Sequence, residues 1–164
     1  MRTVECCILA LSLSSQTLVS QALTNPDEFK NCNLNRLSET ETVLIADSAL
    51  NIKGRVDTGA KQSSLHALDV KVIEENNEQY VQFHSLDDSG QFHDMKEKVE
   101  YVTQITNTSG VPERRYVIKT RVTIKNKEYI VNVNLKDRSR MHYKFLIGRD
   151  LLKQGGYTVD VGAS

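Results

Sequence analysis

The sequence predicts a mainly β fold: a small closed barrel of short strands, with one short helix near the C-terminus. Three observations carry this. From Thr42 onward apolar and polar residues alternate over most of the chain, the period of half-buried strands. Turn residues interrupt the alternation every ~8–12 residues, the spacing of small barrels. A helical pattern is confined to the stretch after Gly148. With 164 residues, 39% hydrophobic and 26% charged, the composition fits one globular domain with a modest core.

The N-terminal "MRTVECCILALSLSSQTLVSQA" reads as a signal peptide over residues 1–22. Arg2 precedes an apolar run from Cys6 to Leu13, and small residues stand at Ser20 and Ala22, spaced for leader cleavage. Glu5 and the serines of the apolar run depart from that pattern, and a buried N-terminal helix is the alternative. A lipoprotein anchor at Cys6 or Cys7 lacks the apolar tract that must precede it. The leader implies export, to a periplasm or to the outside. Its removal leaves Cys32 as the lone cysteine, read as an unpaired structural thiol because one cysteine forms no internal disulfide. No window approaches the ~18 uninterrupted apolar residues of a membrane-spanning helix. The formal net charge of +0 gives no support to nucleic-acid binding.

Residues 23–41 are polar, with Pro26 and four asparagines, and read as an N-terminal tail or one short helix. The domain proper is expected over 42–164. "TVLIAD" is a short apolar strand, and "LNIKGRVDT" alternates Leu50, Ile52 and Val56 with polar residues. "EQYVQF" sets Tyr80 and Gln82 opposite Val81 and Phe83. "YVIKTRVTIKNKEYIVNVNL" is a β-hairpin turning at "NK": Ile118, Thr120, Val122 and Ile124 share one face, and Tyr129, Val131, Val133 and Leu135 repeat it. "RDLLKQGG" is one short helix stopped by Gly155 and Gly156, and "YTVDV" is a last strand.

Chemistry enters at "GRVDTGAKQSSLHA", Gly54 to Ala67. Asp57 follows a strand, and Gly59 permits a sharp turn that exposes the acid. Alone, Asp-Thr-Gly is as well read as an ordinary turn. The second feature is "FLIGRDLL", Phe145 to Leu152: an apolar pair, a glycine, then a helix. Together the two segments resemble those of retropepsin-like aspartic peptidases. "DTGAKQSSLHA", "TSGVPERRYVI", "LKDRSRMHYKFLIGRDLL" and "YTVDV" further resemble, in order, four blocks of a bacterial branch commonly labelled ATP-dependent zinc proteases. The likeness runs from about Leu44 to Val161. Gln62 stands where that branch commonly has a small hydroxyl residue, and Tyr143-Lys144 replaces an aromatic-Pro or Tyr-Pro pair.

The resemblance implies a retropepsin-like barrel in which Asp57 is catalytic and Thr58, Gly59 and Ala60 complete its loop. It implies that Ile147, Gly148, Arg149 and Asp150 run beneath that loop, the glycine allowing close approach. It also implies that Thr58 braces the site across a twofold axis; local turn bonding is the other role open to it. Peptide hydrolysis of this kind needs two carboxyls ~3 Å apart sharing one proton. The chain carries one Asp-Thr-Gly, and at about 140 residues after leader removal it is half a two-lobed enzyme. Asp88-Ser89-Gly90 is the nearest second motif, but polar text flanks it and it reads as a loop tip. A homodimer in which each chain supplies Asp57 is the simpler source of the second acid.

Ala60 cannot donate a side-chain hydrogen bond to the carboxylate as Ser or Thr would. Activity is therefore expected at mildly acidic to neutral pH, and a profile peaking below about pH 3.5 would contradict this. The turn-rich region from Tyr80 to Val111, with Gly90, Ser109 and Gly110, is either a flap over substrate or an exposed hairpin with no gating role.

No metal or other cofactor is expected. His66, His84, His93 and His142 lack metal-ligand spacing, and no Walker-type loop is present for ATP. His84 and His93 near Asp87, Asp88 and Asp94 read as solvated loop residues. "KDRSR", Lys136 to Arg140, reads as a solvated turn, with an arginine available to pair with Asp150 or a substrate carboxylate. Ser63 and Ser64 beside His66 lack an orienting third group, so a serine nucleophile is not expected. The function expected is an aspartic endopeptidase acting on peptide or protein substrates. The alternatives are a non-catalytic peptide-binding module of the same fold and a structural β-domain.

Overall fold

The computed structural model describes residues 35–45, 48–106 and 110–162. The expected leader over residues 1–22, Cys32 and most of the expected tail lie outside the described residues. Strands β1 (Arg36–Leu37), β2 (Thr40–Ile45), β3 (Leu50–Val56), β4 (Ser64–His66), β5 (Leu68–Glu75) and β6 (Glu78–Leu86) come first. Then follow β7 (Phe92–Thr106), β8 (Pro112–Ile124), β9 (Lys127–Lys136), β10 (Phe145–Ile147), helix α1 (Arg149–Gly155) and β11 (Thr158–Val159).

The main sheet runs β2-β3-β10-β4-β9-β8-β7-β6-β5, and β8 also pairs with β2. That extra pairing, Val43 with Ile124 through Ile45 with Val122, closes β2, β3, β10, β4, β9 and β8 into a six-stranded barrel. Closure satisfies strand edges that would otherwise be exposed. The alternation seen in the sequence becomes burial: β3 reads buried at Leu50, Ile52, Gly54 and Val56 and exposed between. Phe145, Ile147, Leu65, Ile118, Val133 and Leu151 fill the interior with no exposure. No helix among the described residues is long and apolar enough to cross a membrane.

Two boundaries differ from expectation. The tail expected to run through Glu41 gives way earlier: Arg36 and Leu37 pair in parallel with Thr158 and Val159, and Leu37 is wholly buried. A two-residue strand has no period to read, and its partner lies at the far end of the chain. The β8–β9 turn is Lys125-Asn126, one residue before "NK". Both residues take positive φ, 48° and 63°, as a two-residue hairpin requires.

Strand β7 changes partner midway. Phe92 to Lys98 pair with β6, and Val99 and Tyr101 to Thr106 pair with β8 as one arm of a hairpin, with a bulge at Glu100 inside that second ladder. Helix α1 buries Leu151 and Leu152 and ends in a left-handed Gly156 whose N–H donates to the carbonyls of Leu152 and Lys153.

Candidate active site

The site begins where β3 meets β10. These strands run parallel, with Val56 opposite Ile147, so their next residues, Asp57 and Gly148, emerge together at one end of the barrel. The Asp57 N–H donates to the Ile147 carbonyl at 2.9 Å. The chain then turns within three residues. Gly59 and Ala60 N–H groups donate to Asp57 Oδ1 at 2.9 and 3.1 Å, which fixes one carboxylate oxygen and leaves Oδ2 free of these bonds. Asp57 is half-buried, and Thr58 and Gly59 are exposed at the loop tip.

All four residues of the lower segment meet that loop. Besides Ile147, the Arg149 N–H donates to the Ala60 carbonyl at 3.0 Å. Asp150 accepts the Ser63 N–H through both oxygens, at 3.1 and 3.0 Å, and the Ser63 hydroxyl at 2.8 Å. The Gly148 N–H donates to Ser63 Oγ at 3.0 Å. A Cβ on Gly148 would lie 2.5 Å from the Gln62 carbonyl carbon, so glycine is the residue the approach allows.

Ser63 is therefore a structural hub, and its hydroxyl is engaged on both sides. Its carbonyl accepts from the Asn134 N–H and from Asn134 Nδ2 at 3.0 and 2.7 Å. Arg115 donates to Asn134 Oδ1 at 3.0 Å and pairs with Glu113 at 2.7 Å. A buried polar chain thus links the loop after Asp57 to β9 and β8. Arg115 falls within "TSGVPERRYVI", one of the blocks that carry the resemblance, though nothing there marks its inward role, and Asn134 lies in no such block.

The acid opens onto a cleft of about 1750 Å³, bordered by the 57–62 loop, the β7 arm, β9 and the loop after it. Gln62 crosses one side: its Nε2 donates to the Tyr101 hydroxyl and to the Asn132 carbonyl, at 3.1 and 3.0 Å. The region from Tyr80 to Val111, open between a flap and an exposed hairpin, is divided by the structure, and Ser109 lies outside the described residues. Thr103, Ile105 and Thr106 of the β7–β8 hairpin line the cleft. Asp87 to Gly90 instead turn between β6 and β7, docked by Asp88 Oδ2 on the Lys53 N–H at 2.8 Å. Asp88-Ser89-Gly90 is a hairpin turn, as its polar flanks indicate. Asp87 binds its own turn, accepting from Ser89 Oγ, the Ser89 and Gln91 N–H groups and His93. Those bonds, the Ser89 hydroxyl's above all, hold its carboxyl far below the usual carboxylate range.

The solvated-turn reading of "KDRSR" is corrected at one residue. Asp137, Ser139 and Arg140 are exposed, but Arg138 is only 5% exposed and lines the cleft. Its Nε donates to the Tyr143 carbonyl at 3.0 Å, and its N–H to His66 Nδ1 at 2.9 Å. Burial pushes its guanidinium below its ordinary value, Arg115 adds to this, and Asp57 opposes it. The Asp150 pairing open to these arginines is taken by Ser63. His84 and His93 pair separately with Asp94 and Asp87, and no cluster of three metal-ligating side chains occurs among the described residues.

A model of the RimB-like family, described as retropepsin-like aspartic endopeptidase RimB, matches residues 37–164. The chain belongs to this family. The RimB-like match covers the barrel, the Asp57 loop and the segment beneath it. A crystal structure of a Legionella pneumophila protein of unknown function superposes with a TM-score of 0.65 at 28% identity, covering 79% of this chain and 95% of that one. Probable α-L-glutamate ligases of Desulfotalea psychrophila and Parasynechococcus marenigrum are 34% identical over 111 residues and 32% over 104. Each match takes in 62% of this chain, which spans only 22% of those curated relatives.

Proposed function

We propose that the protein is an aspartic endopeptidase whose site is completed by a second copy, each chain supplying Asp57. The observation that carries this is the Asp57 loop itself: one carboxylate oxygen is fixed by two backbone donors, and the half-buried acid opens onto a peptide-sized cleft. One ionised Asp57 takes a proton from water as the water oxygen attacks the scissile carbonyl carbon. The protonated Asp57 of the other copy gives its proton to the carbonyl oxygen. As the tetrahedral diol collapses and its C–N bond breaks, the Asp57 that took the water proton gives it to the leaving nitrogen. The other Asp57, now ionised, takes a proton from a diol hydroxyl, which leaves a carboxyl product and restores the dyad. Thr58 is exposed at the loop tip in one chain, and on this reading it meets its counterpart across the twofold axis.

The cleft walls favour an acidic peptide. Lys61, Lys119 and Arg138 line it without a salt-bridge partner among the described residues, and Arg55, Arg115 and Lys136 add positive charge. Asp57, Glu100 and Asp150 are the acids among the lining. The glutamate in the name of the partly matching ligases points the same way. The leader-like N-terminus adds export to this reading.

The test is cleavage of glutamate-rich and lysine-rich peptides by the processed chain and by Asp57→Asn, across pH, with a pepstatin-type inhibitor and with EDTA. Turnover of the acidic peptide at mildly acidic to neutral pH, lost in Asp57→Asn and untouched by EDTA, supports the assignment. EDTA-sensitive turnover independent of Asp57 refutes it. Tight peptide binding without turnover makes the protein a binding module.

A further inference from the structure

His66 ends β4 with no exposure to solvent, and it is not among the residues lining the cleft. Its Nδ1 accepts the Arg138 N–H at 2.9 Å. An imidazole nitrogen that accepts a hydrogen bond carries no proton, so the ring is neutral with its hydrogen on Nε2. That Nε2 is buried and has no hydrogen-bond partner among the described residues.

What His66 holds is the loop of residues 137–144. The loop is internally tied: Asp137 Oδ1 accepts from Ser139 N–H and Oγ, Met141 N–H donates to the Arg138 carbonyl, and Arg138 Nε reaches the Tyr143 carbonyl. Lys144 Nζ gathers the carbonyls of Arg138, Ser139 and Met141, each at 3.2 Å. The loop is fastened to β4 at both ends through one residue, by the Arg138 N–H on the His66 ring and by the His66 N–H on the Lys144 carbonyl at 2.8 Å. From this loop Arg138, Met141, His142 and Tyr143 form one wall of the cleft.

We propose that His66 is a positioning residue for substrate binding, whose neutral ring holds the 137–144 loop as a cleft wall and whose protonation releases it. A protonated ring presents an N–H where the Arg138 N–H needs an acceptor, so two donors face each other in a buried site. The groups around the ring set the direction. Burial, the Lys144 ammonium and the Arg138 guanidinium disfavour its charged form, whereas Asp137, 3.9 Å away and 65% exposed, and the Lys136 backbone favour it. The first set wins, and the ring's pKa lies below the ordinary 6.5. The fastened loop therefore binds fewer protons than the released one. It is favoured above the ordinary histidine value and loses ground as pH falls below it. The role rests on the cleft being the peptide site, so loop and peptide are read separately.

The experiment uses the full chain with Asp57→Asn, which binds without cutting, and a hexaglutamate peptide. Affinity is measured from about pH 7.5 to about pH 5, where glutamate side chains stay largely ionised. The Arg138 amide and the His66 ring nitrogens are followed by NMR over the same range. Affinity is expected to fall several-fold with acid, with the amide and the ring moving at the same midpoint. His66→Asn in the same background puts a non-titrating Oδ1 near the place of Nδ1, and should keep the affinity and flatten its pH dependence. An unchanged pH dependence in His66→Asn overturns the proposal, as does an Arg138 amide that ignores the ring's titration. Should His66→Asn not fold, the ring and amide titrations decide alone. A peptide bound at no pH, with the loop still following the ring, refutes the peptide site and leaves His66's hold on the loop standing.

Discussion

A Cβ on Gly148 would sit 2.5 Å from the carbonyl carbon and 2.8 Å from the carbonyl oxygen of Gln62. Both neighbours are backbone, tied down by the Ser63–Asp150 and Gly148–Ser63 bonds, so neither can yield cheaply. Gly148→Ala should therefore push the segment after β10 away from the Asp57 loop. The expected cost is about 1–3 kcal/mol of stability, the range for forced overpacking, with loss of most turnover. Thermal denaturation and peptide cleavage on the same sample check it. A variant as stable and active as the parent would show that the two backbones do not lie this close.

Asn134 predicts a different kind of damage. It is buried, and its side chain joins the Ser63 carbonyl to the Arg115 guanidinium. Asn134→Leu keeps the bulk and removes both bonds, leaving a buried cation one acceptor short. The expected loss is about 1–3 kcal/mol. Because Ser63 also braces Asp150 and Gly148, kcat should fall more than KM rises. Steady-state kinetics beside denaturant unfolding separate the two effects.

The contrast between Gly148 and Asn134 also marks how far the site could be read from the residues alone. Asp57 and the Ile147 to Asp150 segment stand out because each combines an apolar strand with a glycine whose geometry serves a turn or a close approach. Strand character was equally legible where the period of two is long, as in β8 and β9. Arg138 was not. Its neighbours in "KDRSR" are solvated, and it turns inward only because His66 and the Tyr143 carbonyl receive it. Asn134 lies in an alternating strand and looks like any outward residue until β4 pairs beside β9. Strand β1 is settled by β11, more than a hundred residues away. Local pattern cannot report what a distant partner decides.

Asp87 gives a prediction with a definite sign in pH. Its carboxyl lies below the ordinary 3.8 because the Ser89 hydroxyl, His93 and the Gln91 N–H all stabilise the charged form. A depressed carboxyl contributes stability above its unfolded value and loses that contribution as pH falls toward its folded one. Asp87→Asn should therefore lower the melting temperature at about pH 7 and make progressively less difference below about pH 4. Melts of both proteins across that range check it. A gap that widens with acid would mean that the Asp87 turn is held by something other than its charge.

The two-copy site makes the last prediction, and it needs no structure of the dimer. If each active site contains one Asp57 from each chain, a chain with Asp57→Asn poisons every partner it meets. Equal amounts of parent and variant, unfolded together and refolded, give three dimers of which only the parent pair carries both acids. At fixed total protein the activity should fall to about a quarter of the all-parent sample. A self-contained site would leave about half, since each parent chain would keep its own. Dilution adds an independent check. Turnover per chain should drop as the concentration passes below the dimer dissociation constant, in step with the molecular mass seen by sedimentation. Full activity in a sample that sediments as monomer would show that Asp57 does not need a second copy.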